Sequence, residues 1–148
     1  MGWIVAAAVL FPALAVLSLQ GYRFRKNRII AWKQFRYFSH QNSFDYAVFD
    51  LRDGRSYRRG HLPQAVHFPL EEVNYLPLED MFLHIFLYGD REKESRQAYT
   101  YLSRNGYFNV YDLGTVHRWT GPMERGEGIH IEHFARKIKK QRKKQEQL

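Results

Sequence analysis

The sequence predicts an α/β domain, a parallel sheet flanked by helices, preceded by one N-terminal transmembrane helix. Short apolar runs of strand length occur at Ala47-Val48-Phe49, at His84-Ile85-Phe86-Leu87-Tyr88 and over Tyr107 to Leu113. Between the second and third, a helical pattern runs from Ser95 to about Arg104 with Ala98, Tyr101 and Leu102 on one face, and Asn105-Gly106 stops it. Strand, helix and strand at this spacing form a right-handed parallel crossover. At the N-terminus, Trp3 to Leu19 carries no charge.

That uncharged stretch, with Gly2 and Gln20, approaches the roughly 20 residues a helix needs to cross hydrocarbon. Pro12 is tolerated in such helices. A cleaved signal peptide is the rival reading, but it places positive charge before its apolar run; here the arginines follow. The positive-inside rule puts the N-terminus outside and everything after Gln20 in the cytoplasm, as a single-pass protein of the cell membrane. Residues 1–21 are therefore expected to be an anchor whose partner is the lipid bilayer, contacted through Trp3 to Leu19. Residues 22–42 are expected as a basic, aromatic juxtamembrane helix or linker, 43–128 as the domain and 129–148 as a basic tail.

In the juxtamembrane stretch Ile29, Trp32, Phe35 and Phe38 recur every three residues, one stripe of a helix that packs on the domain or continues the anchor. Tyr22, Phe24 and the arginines suit the headgroup level. Charge is placed unevenly within a formal net of +8. Arg23, Arg25, Lys26, Arg28, Lys33 and Arg36 stand together without an acid. Arg136, Lys137, Lys139, Lys140, Arg142, Lys143 and Lys144 face only Glu146. Tyr37 to Ala135 is left with a net −4, which argues against the domain surface as a nucleic-acid platform. The basic flanks are expected to contact anionic lipid, at about 1 kcal/mol per cation near such a surface; RNA is the alternative that the same charge allows for the tail. Ile131, Phe134 and Ile138 fit one helical face, and from Lys139 on the chain reads as disordered.

Ala47 to Leu70 reads AVFDLRDGRSYRRGHLPQAVHFPL. A strand ends in Asp50-Leu51-Arg52, and a polar turn follows with Gly54 as punctuation. Then come Tyr57, Gly60-His61-Leu62-Pro63, a short apolar run from Ala65 to Phe68, and Pro69; Glu71 to Tyr75 suits a short helical turn. These spacings resemble the rhodanese-like domain family, whose stretch reads roughly Asp-x-Arg, Tyr, Gly-His-Ile-Pro-Gly-Ala and Pro. Gly106-Tyr107-x-Asn109-Val110-Tyr111-x-Leu113, followed by Trp119, is similar to the family's closing motif. Two departures stand out. Gln64 replaces a glycine, and Gly114-Thr115 stands where a Gly-Gly pair is usual. The resemblance runs from Phe44 to Gly121.

The resemblance implies a strand that ends in a cysteine, whose sulfur is surrounded by loop amides and the start of a helix. Laid on this chain, the pattern makes Tyr88 the last strand residue and puts Gly89 at the cysteine's position. The chain contains no cysteine at all, which excludes disulfides, thiolate metal sites and thiol nucleophiles. The expectation is a protein that is not an enzyme and needs no cofactor or metal. The former active-site loop, Gly89, Asp90, Arg91, Glu92, Lys93, Glu94 and Ser95, becomes a candidate contact surface for an unknown protein partner. Its net −1 would repel an incoming anion. Asp90 as an acyl-phosphate nucleophile would need a metal and a cationic partner. Asp50 and Arg52 are implied to fix a local turn and an ion pair, and Gly60, His61, Pro63 and Trp119 to be structural. His40, His67, His84, His117, His130 and His133 show no metal spacing.

The function this implies is a membrane-tethered, catalytically inactive interaction, scaffold or regulatory module. The alternative is a sulfurtransferase-related protein that retains anion binding or uses a partner's cysteine. A third reading is an electrostatic adaptor working through the basic tail.

Overall fold

The apolar runs become neighbours in one sheet. The computed structural model describes residues 27–40 and 45–147. After a helix α1 (27–39), the order is β1 (Tyr46–Asp50), α2 (Gly54–Arg59), β2 (Val66–His67), a 3-10 turn (Leu70–Tyr75), β3 (His84–Gly89) and α3 (Glu92–Arg104). β4 (Val110–Thr115), a second 3-10 turn (Val116–Arg118), β5 (Ile129–His130) and α4 (Ile131–Gln145) complete it. The strands lie side by side as β4-β3-β1-β2-β5, every pair parallel. The α/β expectation holds, with β3–α3–β4 as the crossover unit.

Alternation along the strands divides the core in two. Ala47, Phe49, Ile85 and Leu87 point to one face, where Ala98 and Leu102 of α3 and Ile131 of α4 cover them. Tyr46, Val48, Phe86 and Tyr88 point to the other, beneath Ala31 and Phe35 of α1 and Tyr57 of α2. α1 and α4 therefore lie on opposite sides of the sheet. The β1–β3 register runs from Tyr46 opposite His84 to Asp50 opposite Tyr88, so Asp50 and Tyr88 reach the carboxyl end together.

Four sequence expectations need correction. The polar turn around Gly54 is the helix α2, because Asp53 caps it: its carboxylate accepts the Arg55 and Ser56 N–H groups at 2.9 and 3.0 Å. Helix α3 begins at Glu92 rather than Ser95. The buried stripe of α1 is Arg28, Ala31 and Phe35, with Trp32 and Phe38 beside it, while Ile29 is 60% exposed. A strict three-residue spacing drifts around a helix of 3.6 residues per turn, which carries Ile29 out of the stripe.

The tail is also different from the expectation. Ile129 and His130 pair with Val66 and His67, extending the sheet. α4 continues through Lys139 to Gln145. Ile138 is buried, Lys139 meets Glu79 at 2.9 Å, and Arg142 pairs with Asp80. Those acids lie far away in sequence, so composition alone gave a disordered end. Both α1 and α4 thus pack against the sheet of 45–128. Among the described residues no helix is long and apolar enough to cross a membrane; Trp3 to Leu19 lies outside the described residues.

Candidate functional site

The carboxyl ends of β1 and β3 deliver Asp50 and Tyr88 to one buried network. Asp50 Oδ1 accepts from the Arg52 backbone N–H at 3.0 Å and from Arg52 Nε at 2.9 Å. Its Oδ2 accepts from Arg52 Nη2 and from the Tyr88 hydroxyl, both at 2.6 Å. The Tyr88 hydroxyl in turn accepts the Leu62 N–H at 3.1 Å, and Arg52 Nη2 also donates to the Gly60 carbonyl at 2.6 Å. The carboxylate's two oxygens are thus fully engaged by a bidentate guanidinium and a phenol. Burial, then the adjacent Asp50 charge, raises the Tyr88 pKa far above its ordinary value. Burial opposes the Arg52 charge, but the Asp50 hydrogen bond and charge outweigh it and raise the pKa. Both groups hold one protonation state across the physiological range, as structural groups do.

Beside this network, Tyr57 stacks on His61 with ring centroids 3.9 Å apart. His61 Nδ1 lies 3.0 Å from the Tyr57 carbonyl, and the His61 backbone exchanges two hydrogen bonds with Glu124 at 2.9 Å each. Its Nε2 is 3.7 Å from the Glu124 carboxylate. The imidazole is buried, with its Nδ1 beside the Tyr57 carbonyl and its ring stacked on Tyr57. Tyr57 donates to the Ala65 carbonyl at 2.6 Å, and burial pushes its hydroxyl up to about 12. Pro63 and Gln64 form the corner of a turn closed by Ala65 N–H donating to the Leu62 carbonyl. Gln64 holds φ 61°, a conformation glycine adopts more easily, and its side chain accepts the Tyr46 hydroxyl at 3.1 Å.

β3 ends at Gly89, and the loop after it is only Asp90 and Arg91. Glu92, Lys93 and Glu94 form the first turn of α3. The Glu94 carboxylate folds back into the loop. Its Oε2 accepts the N–H groups of Asp90 and Arg91 at 3.0 and 3.2 Å, and its Oε1 accepts Arg91 Nε at 2.9 Å. A β-carbon on Gly89 would stand 2.6 Å from Glu94 Oε2 and 3.0 Å from the Glu94 β-carbon. The amides that would hold an anion at this helix start therefore hold the chain's own carboxylate. The cradle is filled, whatever the net charge of the loop.

Glu92 does not face an incoming anion either. It pairs with Arg28 of α1 at 2.6 Å and with Arg118 at 2.9 Å. The Arg28 hydrogen bond, with the charges of Arg28 and Arg118, holds its carboxyl below the usual range. Ser95 is wholly buried, its hydroxyl donating to the Glu92 carbonyl at 3.2 Å. Ser95 and Gly89 are therefore withdrawn from any contact surface. Asp90, Arg91 and Lys93 are the residues that point outward, Asp90 lying 3.8 Å from Arg52.

Trp119 clamps α1, stacking on Trp32 at 6.0 Å and meeting Phe35 edge-on at 5.6 Å. Sequence reasoning missed Glu94 as the occupant of the loop, Tyr88 and Glu124 as network partners, and Arg28 as an ion-pair partner. The Arg91-to-Glu94 spacing, a helix cap and its third following residue, was the one local signal available for Glu94. Among the described residues no group of three or more histidines and carboxylates stands together as a metal site.

A profile of the rhodanese-like domain matches residues 37–121. The chain is similar to the Rhodanese_3-like domain of the Alr3790 protein from Anabaena sp., with 27% identity and a TM-score of 0.50 over 53% of this chain and 98% of that one. A second structure of the Alr3790 protein gives 28% identity and a TM-score of 0.51 over 55% of this chain and 78% of that one. The chain is also 27% identical over 84 residues, 55% of its length, to a probable molybdopterin-synthase adenylyltransferase from Porphyra purpurea. It spans only 22% of that relative.

Proposed function

This chain belongs to the rhodanese-like domain family, and we propose that it acts as a membrane-tethered, non-catalytic interaction or scaffold module, holding a protein partner rather than turning over a substrate. The family is related to sulfurtransferases, whose chemistry passes through a cysteine, and this sequence has none. The observation that carries the reading is the position of Glu94. Its carboxylate occupies the amides of Asp90 and Arg91 and the space into which a side chain at residue 89 would project. An inactive member that merely lacked its nucleophile would keep an open cradle. Here a charged group of the same sign as a sulfur oxyanion or phosphate sits in it. The uncharged stretch from Trp3 to Leu19 supports the tether.

The exposed residues of the loop, Asp90, Arg91 and Lys93, are the surface we assign to the partner. The test is co-purification from detergent-solubilised membranes with the full chain and with a variant carrying Asp90→Ala and Lys93→Ala. Arg91, Glu92 and Glu94 stay unchanged because they hold α1 and the loop in place. A protein retained by the parent and lost by the variant supports the reading. An identical set for both removes the loop from it. The competing sulfurtransferase-related role predicts thiosulfate or phosphate binding by the parent, readable by isothermal titration, and thiosulfate:cyanide activity in pure protein would refute the non-catalytic reading outright.

A further inference from the structure

We propose that the outer face of α1 is a membrane-contact surface: Ile29, Ile30, Lys33, Arg36 and Tyr37 rest on the headgroup region of an anionic bilayer. The domain then lies on the membrane by the α1 side of its sheet and turns α4 away. This rests on the tether reading above and adds an orientation to it.

Helix α1 is two-faced. Its inner face, Arg28, Ala31 and Phe35, is buried against the sheet. Its outer face leaves Ile29, Ile30 and Tyr37 exposed at 60%, 45% and 61%, with Lys33 and Arg36 exposed among them. Aliphatic and aromatic side chains interleaved with cations are the composition of a helix that lies in the interface plane. The whole segment 22–42 contains no acid, so nothing on it repels an anionic surface.

The chain outside the described residues says which surface this is. Leu19, the end of the uncharged stretch, is eight residue steps from Asn27, a reach of at most about 28 Å. α1 cannot be far from a bilayer that holds Trp3 to Leu19. Nor is it a loose linker. Arg28 bridges Glu92 and Asp112 at 2.6 and 3.5 Å, and Trp32 Nε1 donates to the Leu113 carbonyl at 3.0 Å. Holding α1 against the membrane therefore orients the whole domain. A cleft beside the same face, lined by Arg36, Arg118, Trp32 and Trp119, offers the exposed Arg36 guanidinium to a lipid phosphate, with Arg118 held beside it by Glu92.

The geometry separates the two basic flanks. Lys140 and Lys144 lie on α4 away from its buried residues, and α4 covers the opposite side of the sheet from α1. A flat bilayer touching α1 does not reach them. The lipid contact expected of both basic flanks belongs to the α1 flank.

The absence of native cysteine makes the test direct. Full chains carrying Ile29→Cys, Tyr37→Cys or Lys140→Cys each take one fluorescent label. They are reconstituted into vesicles of phosphatidylcholine and phosphatidylglycerol doped with a headgroup-level nitroxide quencher. All three positions are exposed, and circular dichroism checks the fold of each variant. Labels at 29 and 37 are expected to be quenched severalfold more than the label at 140, and Lys33→Glu with Arg36→Glu to reduce that quenching. Equal quenching at all three, or stronger quenching at 140, overturns the proposal. Flotation in alkaline carbonate separates it from the tether. A chain that floats with 29 and 37 unquenched keeps its anchor and loses the surface, which instead suits a protein or a second copy. A chain that floats only at low salt with 29 and 37 quenched keeps the surface and loses the anchor. A chain that does neither overturns both.

Discussion

Tyr88 and Asp50 close the β1–β3 register as its last pair and share a 2.6 Å hydrogen bond between two fully buried side chains. The phenol also serves the Leu62 N–H, so it joins the strand ends to the Gly60–Pro63 segment. Tyr88→Phe leaves that N–H and one carboxylate lone pair unmet in the interior. It is expected to cost about 1–3 kcal/mol in urea unfolding. Asp50→Ala strands the Arg52 guanidinium and is expected to cost more, about 3–5 kcal/mol.

Glu94→Ala empties the amides of Asp90 and Arg91. The variant is expected to bind thiosulfate or phosphate measurably by isothermal titration where the parent binds neither. It also removes the cap of α3, at a cost of about 0.5–2 kcal/mol. Failure of both proteins to bind would show that the amides alone, without Glu94, make no anion site.

His84 gives stability a pH dependence. It lies between Phe38 of α1, 4.5 Å away, and Tyr111, 5.7 Å away, and burial lowers its pKa below 6.5. The native state resists the proton that the unfolded chain takes up. Its contribution is therefore complete above pH 6.5 and is lost as pH falls through the lower folded value. Thermal melts between about pH 7 and pH 5 should show the decline, and His84→Gln should flatten that part of the curve.

Phe35→Ala tests whether α1 belongs to the core. Phe35 is almost wholly buried and meets Phe86 and Trp119 at 5.6 Å each. A loss of about 3–5 kcal/mol is expected from the cavity. A loss below about 0.5 kcal/mol, the range of surface changes, would make α1 a peripheral linker.

Ile138→Ala applies the same test to α4. The expected loss is about 2–5 kcal/mol for a buried isoleucine. Lys140→Ala, on the solvent side, should stay within about 0.5 kcal/mol. Equal small effects would mean that α4 ends before Ile138.

The core of the fold was legible because its signals are local. Ala47 to Phe49 and His84 to Tyr88 announce buried strands by apolarity, and Asn105-Gly106 announces the end of α3. The rest depended on partners distant in sequence. α4 reads as a charged tail until Glu79 and Asp80 come beside Lys139 and Arg142. Arg28 reads as one cation among many until Glu92 and Asp112 enclose it. Within the site, the missing nucleophile followed from composition alone. The state of the loop did not, because Glu94 counted as one negative charge rather than as a side chain folded onto two amides. Gln64 stood out as a departure in sequence, and the fold accommodates it at positive φ with a hydrogen bond from Tyr46.

The contact between residues 89 and 94 couples the two positions. Gly89→Cys alone places a thiol's β-carbon 2.6 Å from a carboxylate oxygen, so the Glu94 side chain must shift off the amides, and it meets a like charge as the thiol ionises. Glu94→Ser alone loosens the start of α3 and frees the Asp90 and Arg91 amides, but supplies no nucleophile. A nucleophile in an open cradle takes both changes together. The glycine and the glutamate thereby make the two positions interdependent: what stands at one decides what the other can be.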